Sequence, residues 1–127
     1  MGKARAEIDI DRPADDVWAV VGDFGAIAEW MPGLESCHVD GDDRILKMGG
    51  MEIIERLERR DEDERELVYG IVRGVPVINH KATITVTPEG ASRSHVTWDV
   101  DVDDEMLDMM HQVYQQSLDA LKAHLSG

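Results

Sequence analysis

The sequence holds a single cysteine, Cys37, so no disulfide can close within the chain and a reducing compartment is the expected setting. It holds no apolar run of the roughly 18 residues that a membrane-spanning helix needs. The opening residues MGKARAEIDI lack the apolar stretch of a signal peptide, and Ala6 stands where N-myristoylation needs Ser or Thr. Basic residues are scarce as well: 13 Lys and Arg face 27 Asp and Glu, for a net charge of −14. Nucleic-acid binding draws most of its affinity from cationic side chains on phosphates, so that balance argues against it, and against anionic membrane surfaces. Repeats, low-complexity tracts and linkers are absent, as are glycine-rich phosphate loops and a G-x-S-x-G turn. What these absences leave is a cytoplasmic protein of one domain, residues 1–127, with no cofactor expected. A chain of this length buries roughly two-thirds of its unfolded surface, enough for a core of its own.

What is present is mostly period two. KARAEIDI sets Ala4, Ala6, Ile8 and Ile10 against Arg5, Glu7 and Asp9, a strand with one apolar face. DRPADDVWAVVGDFG then supplies helix-start signals, with an apolar stripe of Val17, Trp18, Val20, Val21 and Phe24. A second short helix, AIAEWM, stops at Pro32-Gly33. From about Leu34 to Asp101 the pattern is ESCHV, DRILKM, MEIIERLERR, RELVYGIV, VINHKATITV and SRSHVTWDVDV. The connections are short, Asp40-Gly41 among them as a hairpin signal, so antiparallel pairing follows. The chain closes on a helix of about 20 residues by its periodicity. Its stripe is Leu107, Met110, Tyr114, Leu118, Leu121 and Leu125, widened by Met106, Met109 and Val113, and it is expected to lie along the sheet over its whole length.

The order strand, two short helices, six strands and a long helix resembles the helix-grip fold of the polyketide cyclase/dehydrase and lipid-transport superfamily (SRPBCC), which includes the START and birch-pollen-allergen types. IDRPADDVWAVVGDF, EWMPG, LVYGIV, ATITVTP and SHVTWDV carry the resemblance, which spans essentially the whole chain. It implies an α+β domain in which a curved antiparallel sheet of about seven strands wraps a long C-terminal helix around an apolar cavity. Gly49, Gly50 and Gly70 stand where such a sheet could kink.

Strand parity nominates the residues facing that cavity. Met51, Ile53, Glu55 and Leu57 share one face, as do Leu67, Tyr69 and Ile71; His80 and Ile84 follow, then Val96, Trp98 and Val100. The last helix adds Met106, Met109, Met110, Val113 and Tyr114, and the resemblance places Trp30 near the mouth. Met side chains suit an adaptable lining, whereas Trp18 and Trp98 read as plain core. Glu55, Tyr69 and His80 are polar groups aimed at an apolar space, so each must find a partner; Arg73 or His80 is the expected partner of Glu55. These groups fix the polar end of an apolar ligand, or they bond one another and complete the core. A catalytic role for His80, with Glu55 and Tyr69, is the third use of the same residues.

The leading function is thus binding or carrying a small hydrophobic molecule: a lipid, a polyketide-like compound or an aromatic metabolite. A cyclase, aromatase or dehydratase acting in the same cavity is the alternative, and an interaction module with an acidic outer face is a third; monomer and homodimer both fit. No metal is expected, because His38, His80, His95, His111 and His124 form no pair at ligand spacing. Asp99 to Met106 fails as a calcium loop, with Asp104 where Gly is needed and Met110 where Glu is. Asp99, Asp101 and Asp103 read instead as the wet face of a strand; the resembled fold sets that strand beside Glu7, Asp9 and Asp11 of the first, which implies an acidic outer stripe.

Overall fold

In the computed structural model, which describes residues 2–77 and 79–126, the period-two runs become strands. The order is β1 (Gly2–Ile10), α1 (Ala14–Val21), a 3₁₀ helix (Phe24–Glu29), β2 (Leu34–Asp40), β3 (Asp43–Met48), β4 (Met51–Asp61), β5 (Glu66–Arg73), β6 (Lys81–Pro88), β7 (Ser94–Val102) and α2 (Asp104–Leu125). They build one curved, antiparallel seven-stranded sheet in the order β1-β7-β6-β5-β4-β3-β2. From β2 to β7 each strand pairs with the next, as short connections dictate. β1 instead joins β7, with Asp9 opposite His95 and Ala6 opposite Trp98. This is the α+β architecture expected from the sequence.

The core lies between the inner face of the sheet and the helices. β7 buries every second residue along its length, and α1 buries Ala14, Val17, Trp18 and Val21 against β6 and β7. α2 buries Met110, Tyr114, Ser117, Leu118 and Leu121, one face at helical spacing. Its 22 residues rest on β1 and β7. The 3₁₀ helix lies against β2 and β3, so helical cover of the sheet is shared out among three elements.

Two expectations need correcting. The run VINHKATITV enters the sheet only at Lys81, because Gly74 and Asn79 take left-handed backbone (φ +100° and +54°) and Pro76 lacks an N–H for pairing. Ile78, expected to share the inner face with His80, lies outside the described residues. Gly49 and Gly50 do not bend the sheet; both have positive φ and form the β3–β4 hairpin turn. Irregularity sits elsewhere: the β4–β5 register shifts between Ile54 and Glu55 and again between Leu57 and Arg59.

Candidate functional site

Inward-facing residues of β3, β4, β5 and β7 meet the aromatic side of α2 around Trp98 and Tyr69, each 1% exposed. Trp98 stacks on Tyr114 (4.1 Å between ring centroids, 5° between planes) and meets Trp30 at 5.9 Å. Tyr69 contacts Phe24 on one side and His80 on another. Its hydroxyl oxygen accepts the Trp98 Nε1 hydrogen at 3.0 Å.

His80 precedes β6 but keeps the inward parity of Ala82, Ile84 and Val86. Its position depends on Gly70 of β5: a Cβ there would stand 2.7 Å from the His80 carbonyl oxygen. The backbone N–H of Ile71 donates to His80 Nδ1 at 3.1 Å, and Nε2 lies 2.8 Å from the Tyr114 hydroxyl. Since Nδ1 accepts, the proton of the neutral ring is assigned to Nε2, which donates to Tyr114. Burial lowers the His80 pKa to about 4, so this neutral form persists at physiological pH. Desolvation raises the pKa of Tyr69 and of Tyr114, and both phenols stay protonated. The cluster is therefore neutral.

Next to it lies a buried charge pair that involves neither expected partner of Glu55. Arg73 is exposed at the end of β5, and His80 bonds Tyr114. The partner is Arg44, 2% exposed and directly across the β3–β4 ladder. Arg44 Nε and Nη2 each lie 2.7 Å from Glu55 Oε1, and Nη1 donates to the Phe24 carbonyl at 3.0 Å. The guanidinium is held between the Phe24 and Tyr69 rings, 4.0 and 4.7 Å from their centroids. One signal in the sequence pointed here: a hairpin turn at Gly49-Gly50 places Met48 opposite Met51, and counting outward places Arg44 opposite Glu55.

Of the nominated lining residues, Trp30, Ile53, Glu55, Tyr69, His80, Ile84, Trp98 and Met110 are buried in this interior. Ile71, Met106 and Val113 are half-buried against it. Met51 and Met109 are not interior: they are 50% and 47% exposed, Met51 because its inward parity falls at the open end of β4. Trp30, expected near a mouth, is 6% exposed. Trp18 is core, but its indole N–H also donates to Glu62 at 2.7 Å.

The outer face differs from the expected acidic stripe in that cations are interleaved with the acids. Arg5 makes two bonds to Asp99, Arg93 meets Asp11, and His95 lies between Asp9 (2.6 Å) and Glu7 (2.9 Å). These carboxylates raise the His95 pKa. Asp9, Glu89 and His95 offer ligand atoms within 4.8 Å of one another, a grouping from three elements that no linear spacing reveals. An open groove of about 660 Å³ crosses this face, and Lys3, Arg5, Lys81, Thr83, Asp99 and Asp101 make its walls polar.

The fold matches a known group. The family model described as polyketide cyclase/dehydrase and lipid transport matches residues 1–126, and the chain belongs to that family; its fold is START-like. A crystal structure of a Bacillus thuringiensis protein is 29% identical, with a TM-score of 0.91 over 98% of this chain and 99% of that one. Protein XoxI from Bacillus cereus is also 29% identical, with a TM-score of 0.91 over 97% of this chain and 94% of the other. The di-domain ARO/CYC BexL of the BE-7585A biosynthetic pathway shares the fold alone, at 21% identity and a TM-score of 0.83 over 99% of this chain and 47% of BexL. No curated protein matches the sequence. Among the described residues no helix is long and apolar enough to cross a membrane.

Proposed function

We propose that this protein binds and carries a small, largely apolar molecule in the interior between the sheet and α2. One observation carries the reading: a neutral hydrogen-bonded cluster, His80–Tyr114 with Tyr69 and Trp98, sits among aliphatic and aromatic side chains at the centre of the domain. Buried polar groups cost free energy unless paired, and an apolar core of this size could do without them. In a binding interior they orient a ligand that the surrounding walls hold by apolar contact. Membership of the polyketide cyclase/dehydrase and lipid-transport family supports the same reading.

Side chains fill the centre in this structure, so a ligand enters by displacing apolar ones around the aromatic cluster. The segment between β5 and β6 offers the path. Its described residues, 74–77 and 79–80, lie in no helix or strand, Val75 and Val77 are half-buried against the core, and Gly74 abuts the start of β4 near exposed Met51 and Val72.

Carriage fits better than catalysis. Burial lowers the His80 pKa to about 4, which makes the ring a weak base, and Glu55 is held in a pair with Arg44. Native mass spectrometry of the purified protein tests the reading. A discrete bound mass that weakens in His80→Ala supports it. Turnover of a polyketide-like substrate that disappears in Glu55→Gln would replace it with the cyclase or dehydratase alternative.

A further inference from the structure

The hydrogen-bond inventory of this interior is one-sided. Trp30 Nε1 is fully enclosed and has no hydrogen-bond partner. The Tyr69 and Tyr114 oxygens each accept a bond, from Trp98 and from His80 respectively. Each phenol also carries a hydrogen of its own. Granting one of these hydrogens to the oxygen of the other phenol accounts for that one alone. The other then has no acceptor among the described residues. The remaining unpartnered enclosed atoms lie elsewhere, Ser94 Oγ at the start of β7 and Asp101 Oδ1 on the outer face. Around Trp98 the surplus is therefore in donors: an indole N–H and a phenol O–H.

Leaving a buried donor unpaired forfeits its bond to water with nothing in return. A purely hydrocarbon ligand would leave both donors in that state, and a cationic one would add to their number. A carboxylate needs a cation, and the buried cation of this interior, Arg44, is already committed to Glu55 and the Phe24 carbonyl. A neutral accepting oxygen on an apolar skeleton meets what is left over.

We infer, on the strength of the binding role proposed above, that the molecule held here is a neutral carbonyl-bearing compound rather than a hydrocarbon or a free fatty acid. Trp30 Nε1 and the Tyr69–Tyr114 phenol pair are the donors that receive its oxygen. The choice between ligand classes thus lies with three aromatic residues on the 3₁₀ turn, β5 and α2.

Three probes with one skeleton test this by isothermal titration calorimetry: fluorene, 9-fluorenone and fluorene-9-carboxylate. One added hydrogen bond from a buried neutral donor should make 9-fluorenone bind about tenfold more tightly than fluorene. The carboxylate should bind no better than fluorene. Trp30→Phe and Tyr114→Phe should each weaken fluorenone binding more than fluorene binding, and so shrink the preference. Equal affinity for fluorene and fluorenone overturns the donor inference and leaves the binding role standing. A preference for the carboxylate, or a fluorenone preference undiminished in both variants, also overturns it. Failure of all three probes to bind counts against the binding role itself.

Discussion

Two sets of polar contacts, one inside and one outside, use nearly the same residue types to different ends. Inside, Arg44 pairs with Glu55 and His80 pairs with Tyr114, all within a few per cent of full burial. Outside, Arg5 pairs with Asp99 and His95 with Asp9 and Glu7, across β1 and β7 in water. Distances do not separate the two sets: Arg44–Glu55 and Arg5–Asp99 both close to 2.7 Å. Solvent does. An exposed pair replaces good hydration with a slightly better contact, while a buried one has no water to fall back on if a partner is lost. The outer contacts hold together a surface crowded with acids, and the inner ones fix the architecture of the interior.

The sharpest way to break this contrast is to cut one partner from each pair. Arg44→Ala leaves Glu55 charged and buried, and should cost about 3–5 kcal/mol in denaturant unfolding. Arg5→Ala should leave the unfolding midpoint within experimental scatter. The double variant Arg44→Met/Glu55→Leu should recover most of the inner loss. An equal response to Arg44→Ala and Arg5→Ala would remove the distinction.

The two histidines sharpen it through pH. His80 titrates near 4 when folded and near 6.5 when unfolded, so between those values the unfolded chain binds more protons. Its stabilising contribution is therefore complete above pH 6.5 and lost as pH falls toward 4, a change on the order of 3 kcal/mol. His95 behaves in the opposite sense. Its folded pKa is raised by Asp9 and Glu7, so its contribution is complete below the unfolded value of 6.5 and lost as pH rises through the folded one. Near pH 6.5 the two contributions cross over. His80→Gln should flatten the acid side of a stability–pH curve, and His95→Gln the alkaline side. An acid limb between pH 4.5 and 6.5 that survives in His80→Gln would show that the ring is not buried neutral.

A smaller effect joins sheet geometry to the site. In Gly70→Ala the new methyl meets the His80 backbone at 2.7 Å, an overpacking that should cost about 1–3 kcal/mol and loosen the Tyr114 contact. Loss of stability with unchanged affinity for a bound probe would separate the strand from the site.

Much of this was legible in the chain. The strands follow from alternation, β1 to β7 within a few residues, and α2 from its 3.6-residue stripe. Inward parity put Glu55, Tyr69, His80 and Trp98 on the correct face. Arg44 could have been found by counting from the Gly49-Gly50 turn, but an arginine in DRILKM reads as solvent-facing until its cross-strand neighbour is known. Met51 and Met109 could not be placed, because parity and helical phase give a direction and not a depth. The late start of β6 depended on backbone turned left-handed at Gly74 and Asn79, which periodicity does not register.

The sequence by itself determined the elements, their order and which side of each is apolar, because those depend on spacings of two and of about 3.6 residues along one chain. Tertiary structure alone decided which residues meet. Arg44 reaches Glu55, Tyr114 of α2 reaches His80 across the core, and Trp30 is enclosed with its N–H unpaired. Those outcomes depend on the curvature of a seven-stranded sheet and on where α2 comes to rest upon it, and hence on contacts between residues far apart in the chain. The chemistry of the interior belongs to that second level.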